Sequence, residues 1–252
     1  MRAIILAAGM GTRLRPLTNE TPKALVTVHG EPIIERQIGY LREIGIEEII
    51  VATGYLGDKF TYLEQKHSVD LIHNDKYDIY NNAYTMYLVR DYLQDAYVLE
   101  GDVYLTNNFL EREMIHSAYF GGVKEGFSQE WILEFDQEDK VIGITIGDGT
   151  GYIMSGVSYW SRSDGLKIKK KLEKMVEQKD FELLFWDDIV KDNLDDFDVY
   201  IQKIGQNDWF EIDSMQDLRT AETFTENWSR VRSNKGSQVV IFGGFHEAIP
   251  RH

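Results

Sequence analysis

The sequence predicts a doubly wound α/β fold with a mostly parallel sheet, on three observations. Short, wholly apolar runs recur through the first half of the chain, each closed by a turn signal. Helix-spaced amphipathic segments separate them. The first run leads directly into a glycine-rich stretch, and in such sheets ligands lie at the carboxyl ends of the strands.

Residues 3–7 form the first run, apolar at every position as a strand buried on both faces requires. After a long loop, Pro32 opens a helical pattern with Ile33, Ile34, Ile38, Leu41 and Ile44 on one stripe, stopped by Gly45. Strands are predicted over residues 49–53, 69–73 and 97–100, with helices over 57–66 and 83–92 between them. Further on, residues 131–135, 141–146 and 152–160 read as strands, with turns over 136–140 and 147–151. Helices are predicted over 163–178 and 181–193, and strands over 198–204 and 209–212. Ser214 is placed to cap a last helix running to about Trp228. We divide the chain into one domain, residues 1–230, and a tail, residues 231–252. A polar Arg-Ser-Asn-Lys-Gly-Ser stretch precedes Gln-Val-Val-Ile-Phe-Gly-Gly-Phe there. The tail reads equally as a docking segment, a truncated second module or residues added to the natural chain.

Composition narrows the function. Hydrophobic residues make up 43% of the 252 and charged residues 27%, which suits a globular protein with a substantial core and not a disordered one. Acidic side chains number 42 against 27 basic, for a net charge of −15. That balance argues against nucleic acid as a partner, since its capture depends on Lys and Arg neutralising phosphates. A small polyanion remains possible, because a few local cations and a metal outweigh a distant field. The chain has no cysteine, so disulfides, thiolate metal sites and cysteine nucleophiles are excluded. No apolar run is long enough for a membrane span or signal sequence, and a cytoplasmic location is the expectation.

The strongest local signal is Leu6-Ala7-Ala8-Gly9-Met10-Gly11-Thr12-Arg13-Leu14-Arg15-Pro16-Leu17-Thr18, followed by Thr21-Pro22-Lys23. Glycines directly after a buried strand let backbone N–H groups approach a phosphate chain without hindrance from a Cβ. Arg13 adds a planar fork for phosphate oxygens and Lys23 a mobile point charge. A Walker A loop fails for want of a Gly-Lys-Ser/Thr, and a Rossmann fingerprint fails at Leu14. A plain strand-exit turn explains the glycines but not two arginines and a lysine fixed by two prolines.

This stretch resembles the signature of the nucleotidyltransferases that activate sugar phosphates and phosphocholine, and the likeness extends through about residues 1–230. The resemblance implies a Rossmann-like nucleotidyltransferase fold with a small inserted substrate-binding β region. It also implies transfer of a nucleotidyl group from an NTP to a phosphate-bearing acceptor, with loss of pyrophosphate. Leu6, Ala8, Gly9, Gly11, Thr12 and Arg13 would then surround the nucleotide, with Lys23 touching the α-phosphate and the incoming phosphate. Asn82, in the loop after the third strand, falls where the family reads the base; by itself it reads equally as a helix cap.

Asp102 follows a buried strand, and Asp213 ends Phe-Glu-Ile-Asp before the last helix. Taken singly they read as a turn residue and a helix N-terminal charge. Matched to the family's positions, they become the carboxylates that hold Mg²⁺, which favours one or two such ligands plus phosphate and water. Arg13, Lys23, Asp102 and Asp213 are the expected catalytic set.

Two tryptophans sit beside acids, in Gln129-Glu130-Trp131 and Phe185-Trp186-Asp187. Rings and carboxylates together suit a quaternary ammonium, which donates no N–H and is held by ring faces and anions. By pattern alone, Trp186 and its neighbours also fit a helix packed into the core. Together with Tyr/Phe-Glu-Ile-Asp-Ser, these segments resemble the bacterial CTP:phosphocholine cytidylyltransferases. The resemblance implies CTP and phosphocholine as small-molecule substrates, and a choline pocket of Trp131, Phe185, Trp186, Asp187 and Glu211. Phe185 departs in lacking the hydroxyl of a tyrosine also found in the pattern. The alternatives are transfer to 2-aminoethylphosphonate, transfer to a sugar 1-phosphate, and a nucleotide-binding module without turnover.

Overall fold

A computed structural model describes residues 1–179 and 181–235, with side chains to residue 227. The expected tail therefore lies, from residue 236, outside the described residues. In chain order the elements are β1 (Arg2–Ala7), β2 (Thr27–Val28), β3 (Glu31–Pro32), α1 (Ile33–Glu43), β4 (Ile49–Thr53), α2 (Tyr62–His67), β5 (Asp70–His73), α3 (Asn82–Leu88), β6 (Ala96–Glu100) and β7 (Val103–Leu105). They continue with β8 (Ser117–Phe135), β9 (Val141–Trp160), α4 (Arg162–Gln178), α5 (Trp186–Lys191), β10 (Val199–Lys203), β11 (Trp209–Glu211) and α6 (Met215–Lys235).

Seven strands form the main sheet in the order β10-β8-β9-β6-β1-β4-β5. All run the same way except β9, which pairs antiparallel to both neighbours. The wholly apolar first run now has its reason. Ile4 and Leu6 pack with Ala83 and Met86 of α3 and Ile168 and Leu172 of α4. The alternate residues Ala3, Ile5 and Ala7 pack with Ile34, Ile38 and Leu41 of α1 and Leu63 of α2. A strand covered on both faces has no solvent side on which to place polar residues.

Five expectations are corrected. The predicted 147–151 turn is instead continuous strand, because β8 begins at Ser117 and provides a partner the sequence did not reveal. The glycines there accommodate register shifts between Glu125 and Glu130, facing Gly126 and Gln129 at positive φ. The true reversal, at 136–140, is built by Asp136 Oδ1, which accepts from the N–H of Glu138 and Lys140 at 2.9 Å each.

The predicted 181–193 helix narrows to α5. The carbonyls of Glu182 and Leu184 accept from the N–H groups of Asn81 and Ala83 at the start of α3, so that segment serves another helix's terminus instead of its own. The 57–66 and 83–92 helices are each split by 3₁₀ turns. Finally, α6 runs past Trp228 to Lys235, its start capped as expected: Ser214 Oγ accepts from Asp217 N, and Asp217 Oδ2 accepts from Ser214 N. Among the described residues, no helix is long and apolar enough to cross a membrane.

Candidate active site

The carboxyl ends of β1 and β6 border a cavity of about 480 Å³, roofed by the halves of β8 and β9 that extend past the sheet. The start of α3, the start of α5 and the end of β11 complete its wall. This is the strand-end crevice where a ligand belongs in such a sheet.

Asp102 and Asp213 meet there through backbone pairing. The short strand β7 runs antiparallel to β11 with Val103 opposite Glu211, and Ile212 N–H donates to Asp102 C=O at 3.0 Å. Lys23 Nζ donates to Asp102 Oδ2 and to Asp213 Oδ1. Arg13 Nη2 reaches Asp213 Oδ2 at 2.8 Å. Burial opposes the charge of Lys23, yet Asp102 and Asp213 outweigh it and hold its pKa above the ordinary lysine value. Desolvation opposes the charge of Asp213 too, but Lys23 and then Arg13 hold its carboxyl below the usual range.

Glu211, expected in the acceptor pocket, joins this group: carboxylate oxygens of Asp102, Glu211 and Asp213 lie within 4.8 Å of one another. Desolvation, with Asp102 and Asp213 beside it, raises its pKa well above the usual range. Three hard oxygen donors converging on one point fit Mg²⁺, and Lys23 is the cation that ties two of them together in this structure.

The glycine loop divides its labour. Leu6, Ala8, Gly9 and Arg13 line the cavity; Gly11 and Thr12 do not. A Cβ on Gly9 would meet no protein atom within 4 Å, so the space is left for something other than the chain. A Cβ on Gly11, at φ +58°, would stand 3.1 Å from Lys23 Cβ and Thr18 Cγ2. Gly11 therefore lets the loop close over Lys23, and Thr18 Oγ1 fastens it by donating to Gly11 C=O at 2.7 Å.

The cavity wall also carries Trp131 and Phe185, ring centroids 6.0 Å apart and nearly perpendicular, with Phe185 43% exposed. Trp186 differs: it lines the cavity but is 2% exposed, with its ring edge-on to Trp160 and Nε1 donating to Glu100 Oε1 at 3.3 Å. The indole is packed into the core and borders the cavity at once. Asn82 lines the cavity too, but its Oδ1 accepts from Trp186 N–H at 2.8 Å, tying α3 to α5. The helix cap is Asn81, whose Oδ1 accepts from Asn82 N–H. Asp187 accepts from Tyr119 Oη at 2.9 Å, and burial lifts its pKa to about 7 against that bond.

Sequence reading missed Glu100, Tyr119 and Glu130, all of which line the cavity. Burial, then Asp102 and Asp187, push Glu100 up to about 8. Its signal was available, as an acid closing an apolar strand two residues before Asp102. Tyr119 gave none, since its strand went unrecognised.

Comparison with known proteins agrees with this architecture. A family model described as nucleotidyl transferase matches residues 2–126. The choline-phosphate cytidylyltransferase of Streptococcus pneumoniae is 44% identical over 90% of this chain and 99% of its own length. The 2-aminoethylphosphonate cytidylyltransferase of Lancefieldella rimae is 34% identical over 86% of this chain and 89% of its own. A solved structure of CTP:phosphocholine cytidylyltransferase from Streptococcus pneumoniae superposes with a TM-score of 0.87 at 45% identity, covering 88% of this chain and 98% of that one.

Proposed function

The chain belongs to the nucleotidyl transferase family, and we propose that it joins CTP to phosphocholine, giving CDP-choline and pyrophosphate. The observation that carries this reading is one cavity lined by two unlike sets of side chains: Arg13 and Lys23 among carboxylates, and the rings of Trp131 and Phe185 with the acids Asp187 and Glu100.

In this reading, a phosphate oxygen of phosphocholine attacks the α-phosphorus of CTP as the bond to pyrophosphate breaks. Its phosphate is already ionised near neutral pH, so the chain needs to supply no general base. Arg13 and Lys23 offset charge on the phosphates and align the two reactants. Members of the family work with a divalent cation; here we take it to be Mg²⁺, held by Asp102 and Asp213 with Glu211 beside them. Bound there, the ion supplies positive charge to the triphosphate oxygens. Lys23, which lines the cavity beside the same two acids, would face the α-phosphate.

The ring faces of Trp131 and Phe185 favour a methylated ammonium over a primary one. A primary ammonium wants three acceptors, and Asp187 and Glu100 already spend part of their capacity on Tyr119 and Trp186. The test is pyrophosphate release with CTP and Mg²⁺ across phosphocholine, 2-aminoethylphosphonate and glucose 1-phosphate. We expect kcat/KM for phosphocholine to exceed the others by about tenfold or more, the worth of a desolvated cation–π contact. A higher value for either rival overturns the acceptor assignment, and CTP binding without turnover on any acceptor overturns the activity.

A further inference from the structure

We propose that Tyr119 is a positioning residue for acceptor recognition, holding the Asp187 carboxylate in the cavity wall where it faces the acceptor's cationic group. The inference rests on the acceptor reading given above. Tyr119 lies in β8, opposite Ser158 of β9 and alongside Ile201 of β10. It is 2% exposed, with its ring edge-on to Trp160 at 5.3 Å, in the same apolar cluster as Leu133 and Val199. A phenylalanine would make every one of these ring contacts.

The hydroxyl is therefore the feature to explain. Buried without a partner it would cost free energy, and its partner is not a core group but Asp187, an acid in the first turn of α5 that lines the cavity. Glu100 is held in parallel fashion by Trp186 Nε1. Each of the two carboxylates at the acceptor end thus carries one bond from an aromatic donor anchored in the core.

The chemistry of the ligand explains why such donors are needed. A primary ammonium would orient a carboxylate itself through N–H bonds. A quaternary ammonium has none to give and attracts the carboxylate as a diffuse charge. The direction of the acid must then come from the protein, and Tyr119 supplies it.

The experiment compares wild type, Tyr119→Phe, Asp187→Asn and the double variant by steady-state pyrophosphate release, with melting temperatures as a check on folding. Tyr119→Phe should raise KM for phosphocholine about tenfold, as expected for a lost hydrogen bond to a charged group, with kcat and the KM for CTP changed by less than about twofold. On the Asp187→Asn background the same change should add little, because the carboxylate it positions is gone. An unmoved phosphocholine KM, equal rises for both substrates, or the full effect persisting on the Asp187→Asn background would each overturn the inference. If wild type fails to turn over phosphocholine, the functional reading falls and the inference with it. Wild-type turnover with an unmoved variant sinks the inference alone.

Discussion

Replacing Lys23 with methionine tests whether the ammonium and a divalent ion compete for one acid cluster. In the structure Lys23 bonds both Asp102 and Asp213, at side-chain exposures of 14% and 21%. Carboxylate oxygens within 4.8 Å repel by on the order of 3 kcal/mol per pair at an effective dielectric of about 20. Partial exposure and the remaining Arg13 contact reduce the net cost of removing the ammonium to about 2 kcal/mol. Because the lysine pKa is raised in the folded state, its stabilisation is fully present at neutral pH and fades only as pH rises beyond the lysine range. In EDTA, the variant should therefore melt about 4–8 °C below wild type. Magnesium reverses the order of the effect. Wild type must expel an ammonium to admit the ion and the variant need not, so calorimetry without nucleotide should show Mg²⁺ binding about 30-fold tighter to Lys23→Met. Turnover should be lost in the variant, but that loss would not discriminate. Equal or weaker Mg²⁺ affinity in Lys23→Met, or an unchanged melting temperature in EDTA, would refute the competition.

Three further outcomes follow from the same geometry. Trp131→Ala and Phe185→Ala should each raise the phosphocholine KM about 5- to 30-fold with CTP kinetics nearly intact; Trp186→Ala should instead cost about 3–5 kcal/mol of stability, since that indole is 2% exposed, and denaturant titration separates the two behaviours. The pKa of Asp187 is lifted to about 7 in the fold, so its contribution to stability is intact below about pH 4 and declines as pH rises to 7. Asp187→Asn should accordingly gain in melting temperature relative to wild type at pH 8 but not at pH 4, and a difference independent of pH would contradict the burial argument. Gly11→Ala should lower kcat at least about tenfold, because the new Cβ crowds Lys23 at a φ that alanine resists; a variant with wild-type kcat would show that the loop tolerates displacement.

What the sequence revealed, and what it hid, divides along physical lines. Residues 3–7 and 49–53 could be read because burial on both faces leaves an unbroken apolar run, and α1 because its buried stripe recurs at helical spacing. The first part of β8 could not: residues 117–122 are all buried, yet they include Ser117, Gly121 and Gly122, so Ser-Ala-Tyr-Phe-Gly-Gly-Val-Lys shows neither a clean alternation nor an unbroken apolar run. The loop cations and the aspartates Asp102 and Asp213 were legible through long motifs. Their meeting was not, because it depends on the β7–β11 register, which is a property of the assembled sheet. Glu211 shows the limit well: expected beside the acceptor, it has its carboxylate near those of Asp102 and Asp213, a grouping set by the β7–β11 pairing.

The distribution of charge in the cavity bears on why a protein of net charge −15 can take up a triphosphate. Asp102 and Asp213 already engage Lys23 and Arg13, so the phosphate end offers no surplus positive charge by itself. In the proposed reaction, a divalent cation held by Asp102 and Asp213 would raise the net charge of this group by the ion's own two units. With the acids turned to the ion, Lys23 and Arg13 would present that charge to the phosphates. The acceptor end works in the opposite sense, with Asp187 and Glu100 kept in a desolvated wall for a ligand that brings the positive charge. In the proposed reading phosphocholine, which carries both signs, would pair with both sets of side chains. In the same reading, the sugar of a sugar 1-phosphate would bring no cation to Asp187 and Glu100 and would forgo the charge pairing that favours the ionised forms of these buried acids.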